Sequence, residues 1–273
     1  MCLREVLCVV DASHLIQDLL RDDYRPVAPI RRKPQEYMAR AMLTATQIEY
    51  ASTVCFVNWE SLSTPDLSTM MALVSHLAPT ARLRLYGVDT GQALVQISDA
   101  RYSPEQDRPG WVRLLNGELE PHMTDERVSA FHYERVGAFH PGRLQVVLDE
   151  RVERGEFGQV LRSSGFCSFA TRPERLARWS HVGAMIDFDP IVSDVAALDA
   201  QNVSTTRDGT DDLDFFASGQ DLAFFGLDFE HEALAAALDT ALLTDAEFTA
   251  GPNAWRQFPD PYPEWHVETH ERE

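Results

Sequence analysis

Apolar residues in this chain recur with two different periods, and the changes of period mark its elements. Arg4 to Val10 is a mostly apolar run ending at Asp11, which reads as a buried strand with no earlier element to pair with. From Pro34 to Ile48, Met38, Ala41, Met42, Ala45 and Ile48 fall at helical spacing, and Pro34 suits a first helical turn. Ser52 to Val57 is again apolar and strand-like, closing at Asn58. Thr64-Pro65-Asp66 then offers an N-cap, a first-turn proline and an acid at the positive helix end, ahead of the stripe Leu67, Met70, Met71, Val74 and Leu77. Pro79 stops that helix, and Arg82 to Gly87 alternates as a strand. The order strand, helix, strand, helix, strand is the one that builds a parallel sheet, half of a doubly wound α/β domain.

Between Asp89 and Arg127 turn signals dominate, at Ser103-Pro104, Arg108-Pro109-Gly110 and Asn116-Gly117, so this stretch reads as a linker with a short helix. A second pattern opens at Val128. Val128 to Glu134 alternates as a strand, and His140-Pro141 starts a helix carrying Leu144, Val147, Leu148 and Val152. Two strands, Gln159 to Ser163 and Phe166 to Ala170, pivot on Gly165. Trp179 to Phe188 and Asp221 to Gly226 read as one strand each, followed by a Glu232 to Leu243 helix with Leu234, Leu238 and Leu242 on one side. Such an order suits an α+β layer of antiparallel strands with helices on one face. An acidic stretch lies near 189–219, and around Thr205 to Asp214 it reads as a mobile solvated loop, because no calcium-loop pattern with a closing glutamate is present.

Charge narrows the partners. The formal charge is −19, so nucleic-acid phosphates and anionic lipid are repelled by the overall field; neither direct nucleic-acid binding nor membrane association is expected. Arg31-Arg32-Lys33 could bind an anion locally, although a solvated loop is the plainer reading. The four cysteines, Cys2, Cys8, Cys55 and Cys167, have no C-x-x-C spacing and point to a reducing cytoplasm. No apolar stretch approaches the roughly 20 residues of a membrane span. His266, Glu268 and His270 could form a weak zinc hook, with a disordered acidic tail as the alternative. His140 reads as a helix cap, and His132 and His181 as side chains on strand faces. The Pro-aromatic tail from Trp255 to Trp265 reads either as a docking segment or as a segment packed back on its own domain.

Seven segments, taken in order, resemble the CobW family of P-loop GTPases and metallochaperones. Val9-Val10-Asp11-Ala12 resembles a Val-Val-Asp-Ala strand, and Gln47-Ile48-Glu49-Tyr50-Ala51 a helix end. Val57-Asn58 begins the base-reading motif, and Leu77-Ala78-Pro79-Thr80-Ala81 resembles Asn-Pro-x-Ala. Phe139-His140-Pro141-Gly142-Arg143-Leu144, Leu161 to Phe166 and Gln220 to Gly226 resemble segments of the C-terminal domain. The resemblance implies an α/β plus α+β fold: a partial GTPase-like domain over 1–90, a linker over 91–127, a CobW C-terminal domain over 128–250 and a Pro/aromatic acidic tail over 251–273.

The departures from the family concern the nucleotide. Lys33 is the only lysine and proline follows it, so the chain holds no G-x-x-x-x-G-K-[ST] phosphate loop. The family's metal and magnesium-side motifs would lie before Met1. In the base-reading motif, Trp59 stands in place of lysine and Ser61 in place of the aspartate that accepts the guanine N–H groups, leaving Asn58 and Ser61 as a degenerate remnant. Losing a charged bidentate acceptor weakens guanine binding by ~100-fold or more. GTP is therefore not an expected ligand, no residue is given a catalytic role, no resident metal site is assigned, and zinc enters only as cargo. The resemblance implies a nucleotide-hydrolysis-incompetent accessory protein of zinc or cobalamin-linked metal homeostasis, acting on a client or scaffold protein and self-associating through its first strand. The alternatives are a pure interaction adaptor, for example on ribosomes under zinc limitation, and the C-terminal part of a GTPase whose start is missing.

Overall fold

A computed structural model describes residues 3–27, 36–87, 102, 108–191 and 219–265. The acidic stretch from 192 to 218, the Arg31-Arg32-Lys33 patch and the His266, Glu268 and His270 group lie outside these residues. The fold of the described residues is mixed α/β, with a three-stranded parallel sheet, a five-stranded antiparallel sheet and a two-stranded antiparallel hairpin.

The parallel sheet has the order β1 (Leu7–Asp11), β4 (Thr53–Val57), β5 (Arg82–Leu85). The first strand joins the parallel sheet that the order of elements predicts, pairing with a later strand in place of an earlier one: β1 runs in register beside β4 from Leu7↔Thr53 to Asp11↔Val57. Pattern along the chain does not show a partner 46 residues away. Helix α1 (Leu15–Leu19) and a small hairpin of β2 (Tyr24–Val27) and β3 (Glu36–Ala39) lead into α2 (Arg40–Glu49). The helix expected from Pro34 therefore begins at Arg40; Met38 sits in β3, paired with Arg25 and exposed. Helix α3 (Thr64–Leu77) is capped by Ser63 rather than Thr64, with Ser63 Oγ accepting from Asp66 N at 3.2 Å, so Pro65 lies in the first turn.

The antiparallel sheet has the order β6 (Val128–Val136), β10 (Gly219–Leu227), β7 (Gln159–Ser168), β8 (Leu176–Val182), β9 (Met185–Pro190). Alternation along β10 sends Ala223 and Phe225 to a cluster shared with Val54, Leu73, Leu77 and Trp111 of the first half. Leu222 and Phe224 go to a second cluster with α5 (Pro141–Val147) and α6 (His231–Asp239). Trp111 comes from α4 (Gly110–Leu115). The antiparallel sheet is therefore apolar on both faces, and one face belongs to the core of the parallel sheet.

Two strand expectations change. Residues 159–168 form one strand, not two, because Gly165 continues the ladder opposite Leu222 and Trp179 instead of breaking it. At Gly165 φ is +151°, and an added Cβ would run into the carbonyl of Asp221 on β10. Gly165→Ala is expected to cost roughly 2 kcal/mol through that clash and the unfavourable φ; a urea midpoint equal to that of the parent chain would refute this. The Trp179 to Phe188 run is two strands folded about Gly183 and Ala184, with Trp179 paired to Phe188. The turn sits at Gly183 (φ +58°), a single glycine within the run.

Candidate functional site

In parallel sheets, functional groups gather at the carboxyl ends of the strands. Here β1 and β4 end side by side, at Asp11 and Val57, bringing Asp11 next to Asn58. Asn58 takes a left-handed conformation (φ 56°, ψ 20°), which an asparagine tolerates better than most residues. Its Nδ2 donates to Asp11 Oδ2 at 2.7 Å. The other carboxylate oxygen, Asp11 Oδ1, accepts from Ser13 N at 3.0 Å and from Ser13 Oγ at 2.6 Å. The Ser13 hydroxyl foremost, acting against desolvation and helped by Asn58, holds the Asp11 carboxyl below its ordinary range.

The turn after Asn58 closes on itself. Ser61 Oγ donates to the Asn58 carbonyl at 2.8 Å, and Trp59 Nε1 to the Tyr86 carbonyl beyond β5 at 3.2 Å. The structure thus brings Asn58 and Ser61 within one turn and commits the amide of the first and the hydroxyl of the second to internal partners. Two cavities, of about 740 and 580 Å3, lie elsewhere: one beside Leu20, Glu153, Gly158 and Asp228, the other beside Met71, Arg82, Arg84 and His122.

A polar centre that sequence reasoning missed joins the two halves. Arg162 of β7 and Glu49, the last residue of α2, form an ion pair with side chains 2% and 3% exposed. Arg162 Nε donates to Glu49 Oε1 at 2.7 Å, and Nη2 to Oε2 at 3.4 Å. Its Nη1 donates to the carbonyls of Ser163 (2.6 Å) and His181 (3.2 Å). Ser163 Oγ in turn lies 3.0 Å from His181 Nδ1 and accepts from Trp179 Nε1 at 2.8 Å. Burial first, and the Arg162 charge second, push the His181 pKa down to about 4. The available signal was an arginine inside Val160-Leu161-Arg162 and a glutamate beside Ile48: charges inside apolar runs need a partner.

His140 and His132 take the places read for them in the sequence. His140 Nδ1 accepts from Arg143 N at 3.4 Å and caps α5, and His132 Nε2 lies 2.6 Å from Asp221 Oδ1, which raises its pKa. Cys8, Cys55 and Cys167 are buried free thiols, Cys8 being pushed up to about 11 chiefly by burial. Among the described residues no three His, Cys, Asp or Glu side chains are grouped as a metal ion needs, and no helix is long and apolar enough to cross a membrane.

Comparison with known proteins bears on this arrangement. Residues 128–242 match the model of the cobalamin synthesis protein cobW C-terminal domain. The chain is 25% identical over 267 residues to zinc-regulated GTPase metalloprotein activator 1 of Dictyostelium discoideum, covering 94% of this chain and 55% of that protein. It is 26% identical over 239 residues to a zinc chaperone of Mycobacterium tuberculosis, covering 83% of this chain and 55% of that protein. The chain thus spans about half the length of the curated relatives it matches. Among solved structures, the Zn(II)-bound YjiA GTPase from E. coli aligns at 12% identity over 88% of this chain and 61% of that one, with a TM-score of 0.34, a likeness too weak to carry an argument.

Proposed function

We propose, from the premise that this chain belongs to the CobW family, that it is an accessory protein of zinc or cobalamin-linked metal homeostasis that works by contacting other proteins rather than by hydrolysing a nucleotide. Its relatives' names, a zinc-regulated activator and a zinc chaperone, support the metal context. The observation that carries the rest is the closed turn at the end of β4. Asn58 is turned to Asp11 and Ser61 to the Asn58 carbonyl, and neither serine nor tryptophan supplies the anionic acceptor that guanine's N–H groups require. The same 273 residues hold one lysine, followed by proline, and so supply no phosphate loop of their own. In this reading the parallel sheet is the remnant of a nucleotide-binding domain. Calorimetry with GTP and magnesium is expected to give no binding tighter than about millimolar; micromolar binding, or steady turnover by the purified chain, would end the reading. Metal analysis of the same sample separates cargo carriage, seen as stoichiometric zinc, from a metal-free adaptor.

Contact with other proteins is assigned to β1. Leu7 and Val9 point away from the shared core and are 38% and 53% exposed, with Leu3 beside them at 55%. Among the described residues β1 is also an edge strand, and it has no charge before Asp11 to discourage further pairing. The isolated chain is accordingly expected to self-associate at micromolar concentration, and the charged double variant Leu7→Lys/Val9→Lys to be monomeric. Light scattering coupled to gel filtration decides, and a monodisperse, protease-resistant parent monomer rules this surface out.

A further inference from the structure

The last described residues do not extend any sheet or helix of the fold. After Gly251 (φ +79°) and a single helical turn, Pro252–Trp255, the chain runs as Phe258-Pro259-Asp260-Pro261-Tyr262-Pro263-Glu264-Trp265. Every second residue from 259 to 263 is proline. Proline has no N–H to give a ladder and its φ is already restricted, so such a segment loses little entropy on being held extended. Side chains do most of the holding.

Four contacts follow one another along the C-terminal domain. Phe258 stacks on His140 with ring centroids 4.5 Å apart. Asp260 Oδ2 accepts from Thr171 Oγ1 at 2.6 Å and from Arg172 Nε at 3.0 Å. Tyr262 enters an aromatic wall, 4.6 Å from Phe188 and 5.4 Å from Phe169, while Arg172 Nη2 donates to its carbonyl at 2.9 Å. Trp265 lies under the Arg172 guanidinium at 4.3 Å. The spacing over Phe258, Asp260 and Tyr262 is that of a proline-rich ligand in an aromatic groove: alternate residues touch, and one charged group reads an acid between two aromatics, with Trp265 a further contact three residues on.

The groove belongs to the matched domain, since His140, Thr171, Arg172, Phe169 and Phe188 all fall within 128–242, whereas the segment filling it comes after the match ends. Among the described residues, Tyr262 Oη and Arg172 Nη1 are buried without a hydrogen-bond partner, so the segment's own side chains leave two polar atoms of the groove for a ligand to satisfy.

We propose that the C-terminal domain carries a recognition groove for proline-spaced aromatic peptides, occupied in this chain by its own tail, and that a partner protein bearing a Phe-Pro-Asp-Pro-Tyr type of segment binds by displacing that tail. The proposal rests on the groove alone and is independent of the nucleotide and β1 arguments.

The test uses the full chain and a labelled decapeptide, Arg-Gln-Phe-Pro-Asp-Pro-Tyr-Pro-Glu-Trp, the sequence of residues 256–265. In the full-length double variant Phe258→Ser/Tyr262→Ser the resident segment loses its anchors. Fluorescence anisotropy is expected to show the peptide binding this variant at least about tenfold more tightly than the parent, whose own tail keeps most grooves filled. Adding Arg172→Met to the variant should weaken binding by about tenfold or more, because the fork to Asp260 and the contact to Trp265 are both lost. Equal binding to parent and variant, or none to a cooperatively folded variant, overturns the proposal. Should the variant not fold, amide exchange on the parent decides: excess peptide is expected to speed exchange at Asp260, Tyr262, Glu264 and Trp265, and unchanged rates overturn the groove equally.

Discussion

Replacing Arg162 by methionine in the full chain is expected to lower the free energy of unfolding by about 3–5 kcal/mol, the range for removing one member of a buried pair. Methionine keeps most of the packing volume but leaves the Glu49 carboxylate almost fully buried without its cation. The carbonyls of Ser163 and His181 lose a donor at the same time. For a chain of this size such a loss corresponds to a fall in Tm on the order of 10 °C. Glu49→Leu together with Arg162→Met should recover a large part of the deficit, since two charges removed together leave none stranded. The recovery stays incomplete because the two carbonyls are still undersupplied. Denaturant unfolding of both variants decides: an unchanged midpoint for Arg162→Met, or a double variant worse than the sum of the singles, would contradict the arrangement.

The pair also bears on how the molecule unfolds. Glu49 ends a helix of the first half and Arg162 sits in the antiparallel sheet of the second, inside a core where Val54 and Leu73 meet Leu161 and Phe225. Separating the halves would expose this apolar surface and a bare ion pair together. The two sheets are therefore expected to unfold as one cooperative unit.

Elements set by local chemistry were legible in the sequence. The stripe Met70, Val74 and Leu77, with a serine and a proline ahead of it, gives α3, and Leu234 and Leu238 give α6. Asp11 and Asn58 could be placed at strand ends from pattern alone. Relations between distant segments were not legible. Nothing local tells that β1 finds Thr53–Val57, that Gly165 is a close approach within one strand rather than a break, or that Met38 belongs to a hairpin. The bond between Asn58 and Asp11 is of the same kind, joining residues 47 apart. Glu49 and Arg162 both lay in segments that resemble the CobW family, yet only the fold shows that these two segments meet.

Acid should destabilise this chain before most of its carboxylates begin to titrate, and His181 is the expected cause. In the unfolded chain its imidazole takes a proton near pH 6.5, whereas in the folded state burial, and then Arg162, hold it neutral down to about 4. Between those values the unfolded state binds the proton and the folded state does not. Stability therefore falls as pH drops through 6.5 and the effect levels off below about 4, with a total of about 3 kcal/mol. Roughly 1 kcal/mol of that is already lost by pH 5.5. His132 works in the opposite direction: its pKa is raised by Asp221, so its contribution is fully present below 6.5 and fades as pH rises through the folded value. His181→Asn should flatten the decline between pH 7 and 5.5, whatever it costs in absolute stability. Arg162→Met should move the His181 midpoint upward, because one of the two causes of its depression is gone. Imidazole chemical shifts followed by NMR across that range give the midpoint directly, and a folded-state value at or above 6.5 would contradict the buried, arginine-facing environment on which this expectation depends.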